Sequence, residues 1–300
     1  MNRYQIFLKV LALGSFTKAA EELGYTQSAV SQMIHSLESE MGTTLLLRSR
    51  SGVELTADGS ELLPYIHNIC NSYHSLSEKL KEMHGLKSGV IRIGTFSSVS
   101  CHWLPGLINE FQRAHPDISF QIYQGMEYSD MQHWIKDGQV DFSFSSQHVL
   151  DGQHIALCED RMLAILSPDH PLADRSVIPL SELVKEPYIL LEEGSLSELT
   201  ETFQNLHLSP NIRYRVHDDY TIMSMVELNM GVSIISEIFL NRMPYRLTAR
   251  EVDPPITRTL SLVFRRFETL PVAARHFIDL IVRTYGQSPE GLSAWNAMSR

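Results

Sequence analysis

"TKAAEELGYTQSAVSQMIHSLE", Thr17 to Glu38, joins two short amphipathic patterns through a single glycine. Ala19, Ala20 and Leu23 make the inner side of the first. Gly24 stands where the chain must turn, and glycine takes a positive φ at least cost. Thr26 suits the N-cap of the second helix, whose Val30, Ile34, Leu37 and Met41 recur at i, i+4, i+7, i+11. Its outward face carries Gln27, Ser28, Ser31, Gln32 and His35 instead of the usual Lys and Glu. A small residue at Ala20, a turn glycine four residues on and an apolar residue six beyond that is the helix-turn-helix pattern. In a major groove, Gln pairs bidentately with adenine and Ser contacts several bases, and the N-terminal turns of the recognition helix reach furthest in. Thr26, Gln27, Ser28, Ser31, Gln32 and His35 are therefore candidate DNA contacts; a plain solvated face is the competing reading.

Working outward, Ile6, Phe7, Leu8, Val10, Leu11 and Leu13 predict a first helix that stops near Gly14, with Ser15 or Thr17 capping the next. Downstream, "TTLLLRSRSGVELTADG" (Thr43 to Gly59) predicts a two-stranded wing around a glycine-containing turn. Arg48 and Arg50 on it are placed to meet phosphates or a minor groove; an ordinary hairpin with solvated arginines is the alternative.

With these residues in hand, Phe7 to Gly59 resembles the winged helix-turn-helix of LysR-type transcriptional regulators, through "GSFTKAAEELGYTQSAVSQMIHSLESEMG" and then "LLLRSRSGVELTADG", without a gap. Three positions depart from the family pattern. Ser28 stands for the usual proline after "TQ", Gln32 for a common arginine, and Leu46 for the usual wing phenylalanine. The resemblance implies a double-stranded DNA operator, a homodimer or homotetramer, a small-molecule effector and, for an activator, RNA polymerase as partners. Up to residue 60, five basic residues (Arg3, Lys9, Lys18, Arg48, Arg50) face six acidic ones (Glu21, Glu22, Glu38, Glu40, Glu54, Asp58). Phosphate affinity per module is then weak, and tight binding needs several copies.

Leu62, Ile66, Ile69, Tyr73, Leu76, Leu80 and Met83 follow at alternating spacings of four and three. That is an a/d heptad seam, expected on one long helix that pairs with its counterpart in a second subunit; packing on its own domain is the bland alternative. Family resemblance implies the same role, a dimerising linker helix. It should end near Gly85, with "LKSG" (Leu86 to Gly89) as a hinge.

Beyond the hinge, "GVIRIGTFSS", "ISFQIYQG", "VDFSFSS", "RMLAILSP", "YILLEEGS", "GVSIIS" and "TLSLVF" are apolar runs separated by helical patterns, such as Leu104 to Ala114. Alternating strands and helices predict an α/β body with largely parallel sheets. Its order is similar to the effector domain of LysR-type regulators, which resembles periplasmic solute-binding proteins: two α/β subdomains joined by crossing strands, placed here near Met162–Ser167 and Thr259–Phe264. Several strands end in small polar residues, where ligands bind in open α/β sheets. Candidate effector contacts are Ser97, Ser98 and Val99 after the first strand, Gln124 and Gly125 after the second, Ser146 after the third, and Glu193, Ser195 and Asp219 on a facing wall. By position in the family Ser98 leads. Glu192, Glu193, Asp218 and Asp219 make that wall acidic; pointing inward they would favour a positive or hydroxylated ligand, pointing outward they only solvate it.

The expected architecture is an N-terminal all-α winged helix-turn-helix (1–60), a long linker helix (61–87), and a C-terminal α/β effector domain (88–300). The net charge of −10 argues against a generic nucleic-acid coat but not against a small DNA-reading module on an acidic body. No apolar run approaches a membrane span, and no signal core opens the chain, which predicts a cytoplasmic protein. Cys70, Cys101 and Cys158 are scattered, which suggests no disulfide framework and no clustered metal. Neither a catalytic nor a cofactor motif is found. Two rivals remain: a cytoplasmic small-molecule-binding protein, which the first ninety residues oppose, and a redox-sensing regulator using Cys101.

Overall fold

The computed structural model describes residues 2–49, 52–83, 89–125, 128–146, 152–192 and 198–298. In the N-terminal unit, α1 (Arg3–Leu13), α2 (Phe16–Leu23) and α3 (Gln27–Met41) each start on a side-chain cap. Asn2 and Gln5 form a reciprocal capping box, Ser15 caps α2 and Thr26 caps α3. Gly14, Gly24 and Gly42 end the three helices at positive φ. Ile6, Phe7, Val10, Ala19, Ala20, Val30, Ile34 and Leu37 are buried together, so the three helices share one core. Strands β1 (Leu46–Ser49) and β2 (Gly52–Leu55) pair antiparallel as the wing. Leu46, where the family has phenylalanine, fills the same core at 6% exposure. Glu38 fixes the entry to the wing, because its Oε1 accepts from the backbone of Leu45 and Leu46.

The following helix, α4 (Ala57–Met83), begins five residues before the first seam residue. Thr56 makes the early start by accepting from the Gly59 amide at 2.8 Å. A Cβ at Gly59 would lie 2.2 Å from the Leu45 carbonyl, so only glycine lets this helix leave the wing. The expected seam then divides. Ile66 is buried and Leu62 half-buried, both in the core of the winged helix-turn-helix. Ile69, Tyr73, Leu76 and Leu80 are 42–57% exposed. Cys70 is buried beside them, and burial pushes its thiol up to about 11. The Met83 side chain, Gly85 and residues 86–88 of the expected hinge (Leu86 to Gly89) lie outside the described residues, and Gly89 itself already belongs to a strand.

In the C-terminal unit, β3 (Gly89–Thr95), α5 (Ser97–His102), α6 (Leu104–Ala114), β4 (Ile118–Gln124), α7 (Tyr128–Asp137) and β5 (Phe142–Ser145) begin the first subdomain. The chain leaves it on β6 (Gln153–Leu166). The second subdomain adds β7 (Val177–Pro179), α8 (Leu180–Leu183), β8 (Tyr188–Leu191), α9 (Glu198–Asn205), β9 (Ile212–Val216), α10 (Asp219–Glu227), β10 (Ser233–Ser236) and β11 (Thr248–Asp253). Then β12 (Ile256–Phe264) returns, and α11 (Val272–Tyr285) and α12 (Pro289–Met298) finish the first subdomain. The strand order β4-β3-β5-β12-β6-β11-β7 is continuous, β10 also borders β6, and β8–β9 form a separate parallel pair.

Parallel pairs β3–β4, β3–β5, β7–β11 and β8–β9 match the α/β expectation, but the centre is antiparallel. β6 and β12 run against each other from Gln153↔Phe264 to Met162↔Ile256. Ile155, Leu157, Leu260, Leu262 and Phe264 lie in the first core, whereas Met162, Ala164, Leu166 and Ile256 lie in the second. The chain thus changes subdomain between Cys158 and Arg161 and again between Thr257 and Thr259. The stretches expected as crossovers, Met162–Ser167 and Thr259–Phe264, stand to either side of this point. They are the most apolar parts of strands whose actual crossing segment is charged.

Candidate DNA-reading face and effector cleft

On α3, Thr26, Gln27, Ser28, Gln32 and His35 are exposed, and Ser31 is half-buried. Thr26 Oγ1 accepts from the Ala29 amide at 3.2 Å and lies 3.0 Å from Ser28 Oγ, so cap and first turn are fixed together. A proline at position 28 would offer no such hydroxyl. Arg3 Nη1 donates to Ser36 at 3.0 Å while its Nη2 pairs with Glu40, which pins α1 to the far half of α3. Tyr25, just before the cap, is 44% exposed and was not among the expected contacts. The Arg48 side chain and Arg50 lie outside the described residues.

The two subdomains of the C-terminal unit meet around a small polar cluster. Ser98 is 2% exposed, and its Oγ accepts from Arg258 Nη2 at 3.1 Å. Arg258 Nε donates to Asp160 Oδ2 at 2.8 Å, and Ser236 Oγ donates to the same oxygen at 2.7 Å. The guanidinium sits 5.0 Å over the Phe96 ring. Beside it, Ser97 Oγ of the first subdomain donates to Asp219 Oδ2 of the second at 2.7 Å. Burial pushes the Asp219 carboxyl above its ordinary range, against the Ser97 hydrogen bond and the Arg258 charge. Phe96, Ser97, Ser98, Asp219, Ser236 and Arg258, together with Met162, Leu191, Leu199, Ile234, Ile235 and Phe239, enclose about 20 Å3. That volume admits about one water molecule, so anything larger needs the cleft to open.

Of the expected effector contacts, Ser97, Ser98 and Asp219 line this cavity. Val99 does not: it is wholly buried in the first core, because the third residue of α5 turns under the helix. Gln124 is exposed and accepts from Ser100 at 3.2 Å; the Gly125 amide donates to Thr95. Ser146 is buried away from the cavity. Glu193 and Ser195 lie outside the described residues. The acidic wall is resolved by roles. Asp218 caps α10 by accepting from the Thr221 amide at 2.8 Å, and Glu192 lies 3.7 Å from both Arg215 and His217 at the surface. Only Asp219 of the described acidic residues there points inward.

Next to the cavity, Tyr220 Oη lies 3.5 Å from His102 Nε2, and both rings stand edge-on to Phe239. Burial and a hydrogen bond with Cys101 push the Tyr220 hydroxyl up to about 12. Burial, then the Arg242 charge, lowers the His102 imidazole. Cys101 is exposed, whereas burial keeps the Cys158 thiol protonated, up to about 11.

Residues 1–60 match the family described as "Bacterial regulatory helix-turn-helix protein, lysR family", and residues 84–286 match "LysR substrate binding domain". The chain belongs to the LysR family of transcriptional regulators. Among its relatives, the uncharacterized regulator YvbU of Bacillus subtilis is 30% identical over 289 residues, covering 95% of this chain and 99% of YvbU. A full-length OxyR variant from Pseudomonas aeruginosa shares the fold at TM-score 0.69 and 19% identity, covering 96% of this chain and 97% of that one. The regulatory domain of CcmR from Synechocystis PCC6803, solved in complex with 2-PG, matches at TM-score 0.62 and 22% identity, over 67% of this chain and 99% of its own. As in LysR-family structures generally, an N-terminal helix-turn-helix precedes a two-subdomain effector-binding domain. Within that LysR-type body the sequence reading missed Asp160, Arg258 and Ser236. The available signal was an acid and an arginine inside otherwise apolar strand patterns, an expensive placement without a partner.

Proposed function

We propose that residues 1–60 read an operator through α3, that residues 61–87 pair two chains along the exposed half of the seam, and that residues 88–300 bind a small-molecule effector in the Ser98–Arg258 cleft. Gln27, Ser28, Ser31, Gln32 and His35 contact bases, and Arg48 and Arg50 contact phosphates or a minor groove. The observation that carries the DNA reading is the uncharged, hydrogen-bonding face of α3, fixed by the Thr26 cap. Pairing is supported by Ile69, Tyr73, Leu76 and Leu80, exposed on successive turns. It joins two weak modules at high effective concentration.

The effector reading is supported by Ser97, Ser98 and Arg258, polar groups converging among apolar walls from both subdomains. CcmR was solved with 2-PG in the corresponding kind of domain. Because the cavity is small, an effector binds an opened form, and it acts by its differential affinity for open and closed states. Operator and effector then change each other's affinity by one common factor, typically about 1–3 kcal/mol. The protein works in the cytoplasm as a dimer or tetramer, with RNA polymerase as partner if it activates. The test is a thermal-shift screen of metabolites on wild type and Ser98→Trp, since a ligand of the folded state raises its Tm. A hit that shifts both proteins equally places the effector outside the cleft.

A further inference from the structure

A second concave site lies away from the cleft, on the second subdomain across β6, β11 and β7. It is a groove of about 540 Å3 lined by Arg161, Leu163, Asp174, Arg175, Val177 and Arg250, among others. Small-molecule sites typically measure roughly 300–1,000 Å3. Its three arginines are not equivalent. Arg161 is bound by Glu237 and Glu251, and Arg175 by Glu182. Arg250 is half-buried, and its guanidinium is held by carbonyl oxygens: Nε donates to Ala173 at 2.9 Å and Nη1 to Ala249 at 2.8 Å. Among the described residues no carboxylate oxygen lies within 4.0 Å of it. Asp174 stands exposed on the rim, beyond that distance.

Two of the five guanidinium donors are thus used to fix its plane, and the others remain for a ligand. A half-buried cation without a counter-ion is costly unless it meets one, and a fixed guanidinium matches the oxygens of a carboxylate or phosphate. The apolar floor of Leu163, Val177 and Ala249 suits a short carbon skeleton. We propose that Arg250 anchors a second small-molecule site, distinct from the inter-subdomain cleft, for an anionic metabolite bearing a carboxylate or phosphate group.

Inorganic phosphate and succinate serve as probes, titrated by calorimetry into the full chain at low salt. The expected result is saturable binding of at least one probe by wild type and by Ser98→Trp. Arg250→Gln should weaken it at least about tenfold, the worth of one charge-assisted hydrogen bond. Val177→Trp, an exposed edge-strand change that narrows the groove and leaves Arg250 itself in the sequence, should weaken it as well and decides the matter if Arg250→Gln does not fold. Preference for phosphate or succinate assigns the headgroup. Three outcomes overturn the site: no saturable binding of either probe, wild-type affinity in the foldable groove variants, or loss of binding in Ser98→Trp.

Discussion

Asp160 and Arg258 stand directly opposite each other on β6 and β12, and their side chains close a buried ion pair at 2.8 Å where the chain passes between subdomains. Both side chains are at most 5% exposed. Ser236 and Ser98 add one bond to each partner, so the pair touches both halves of the cleft. Breaking a buried pair leaves a bare charge and costs roughly 3–5 kcal/mol, whereas replacing both partners by apolar groups can be neutral. Arg258→Met should therefore destabilise the effector domain by about 3–5 kcal/mol, and Asp160→Leu with Arg258→Met together by less than that. Denaturant unfolding of the effector domain measures both. Additive losses in the double variant would show that the pair is not coupled.

The cleft should also respond to pH through Asp219. Its carboxyl is raised in the folded protein, first by burial. The folded state therefore holds this proton more tightly than the unfolded one. That contribution is complete below the ordinary carboxylate value, near 3.8, and is lost as pH rises through the raised value. Asn at 219 carries no charge at any pH. The Tm of Asp219→Asn minus that of wild type should climb from acid toward neutral pH and then level off. A difference that is flat, or that falls, contradicts burial as the dominant influence.

On α4 the split seam predicts two different phenotypes. Ile69→Glu or Leu76→Glu places a charge on the exposed part, and should dissociate the oligomer in sedimentation velocity while leaving the monomer folded. Ile66→Ala opens a cavity in the core of the winged helix-turn-helix and should cost about 2–5 kcal/mol there. Wild-type sedimentation of Ile69→Glu would move the main interface elsewhere.

These positions show what the sequence carries on its face. Caps and turns of the N-terminal unit are local signals, so Thr26, Gly14, Gly24 and the wing could be read directly, and the cap of α2 narrows to Ser15 or Thr17. Ile66 and Ile69 belong to one a/d seam, and only packing on the core of the winged helix-turn-helix leaves one buried and the other exposed. Asp160 and Arg258 are 98 residues apart and meet through strand register, which no spacing rule reveals. Val99 was misplaced for a related reason: α5 is helical from Ser97, so neighbours in sequence point to core and cleft in turn.

The central claim is that α3 reads base identity with its amides and hydroxyls. The most direct measurement is selection of duplexes from a randomised library by wild type, Gln27→Ala and Gln32→Ala, each followed by affinity measurements on the enriched sequence. Wild type should enrich a two-half-site motif. Each variant should lose preference at particular base pairs within it, with a cost of about 1–3 kcal/mol on the wild-type sequence and little change on random DNA. An unchanged motif in both variants, or equal losses on selected and random duplexes, would contradict base reading by this helix.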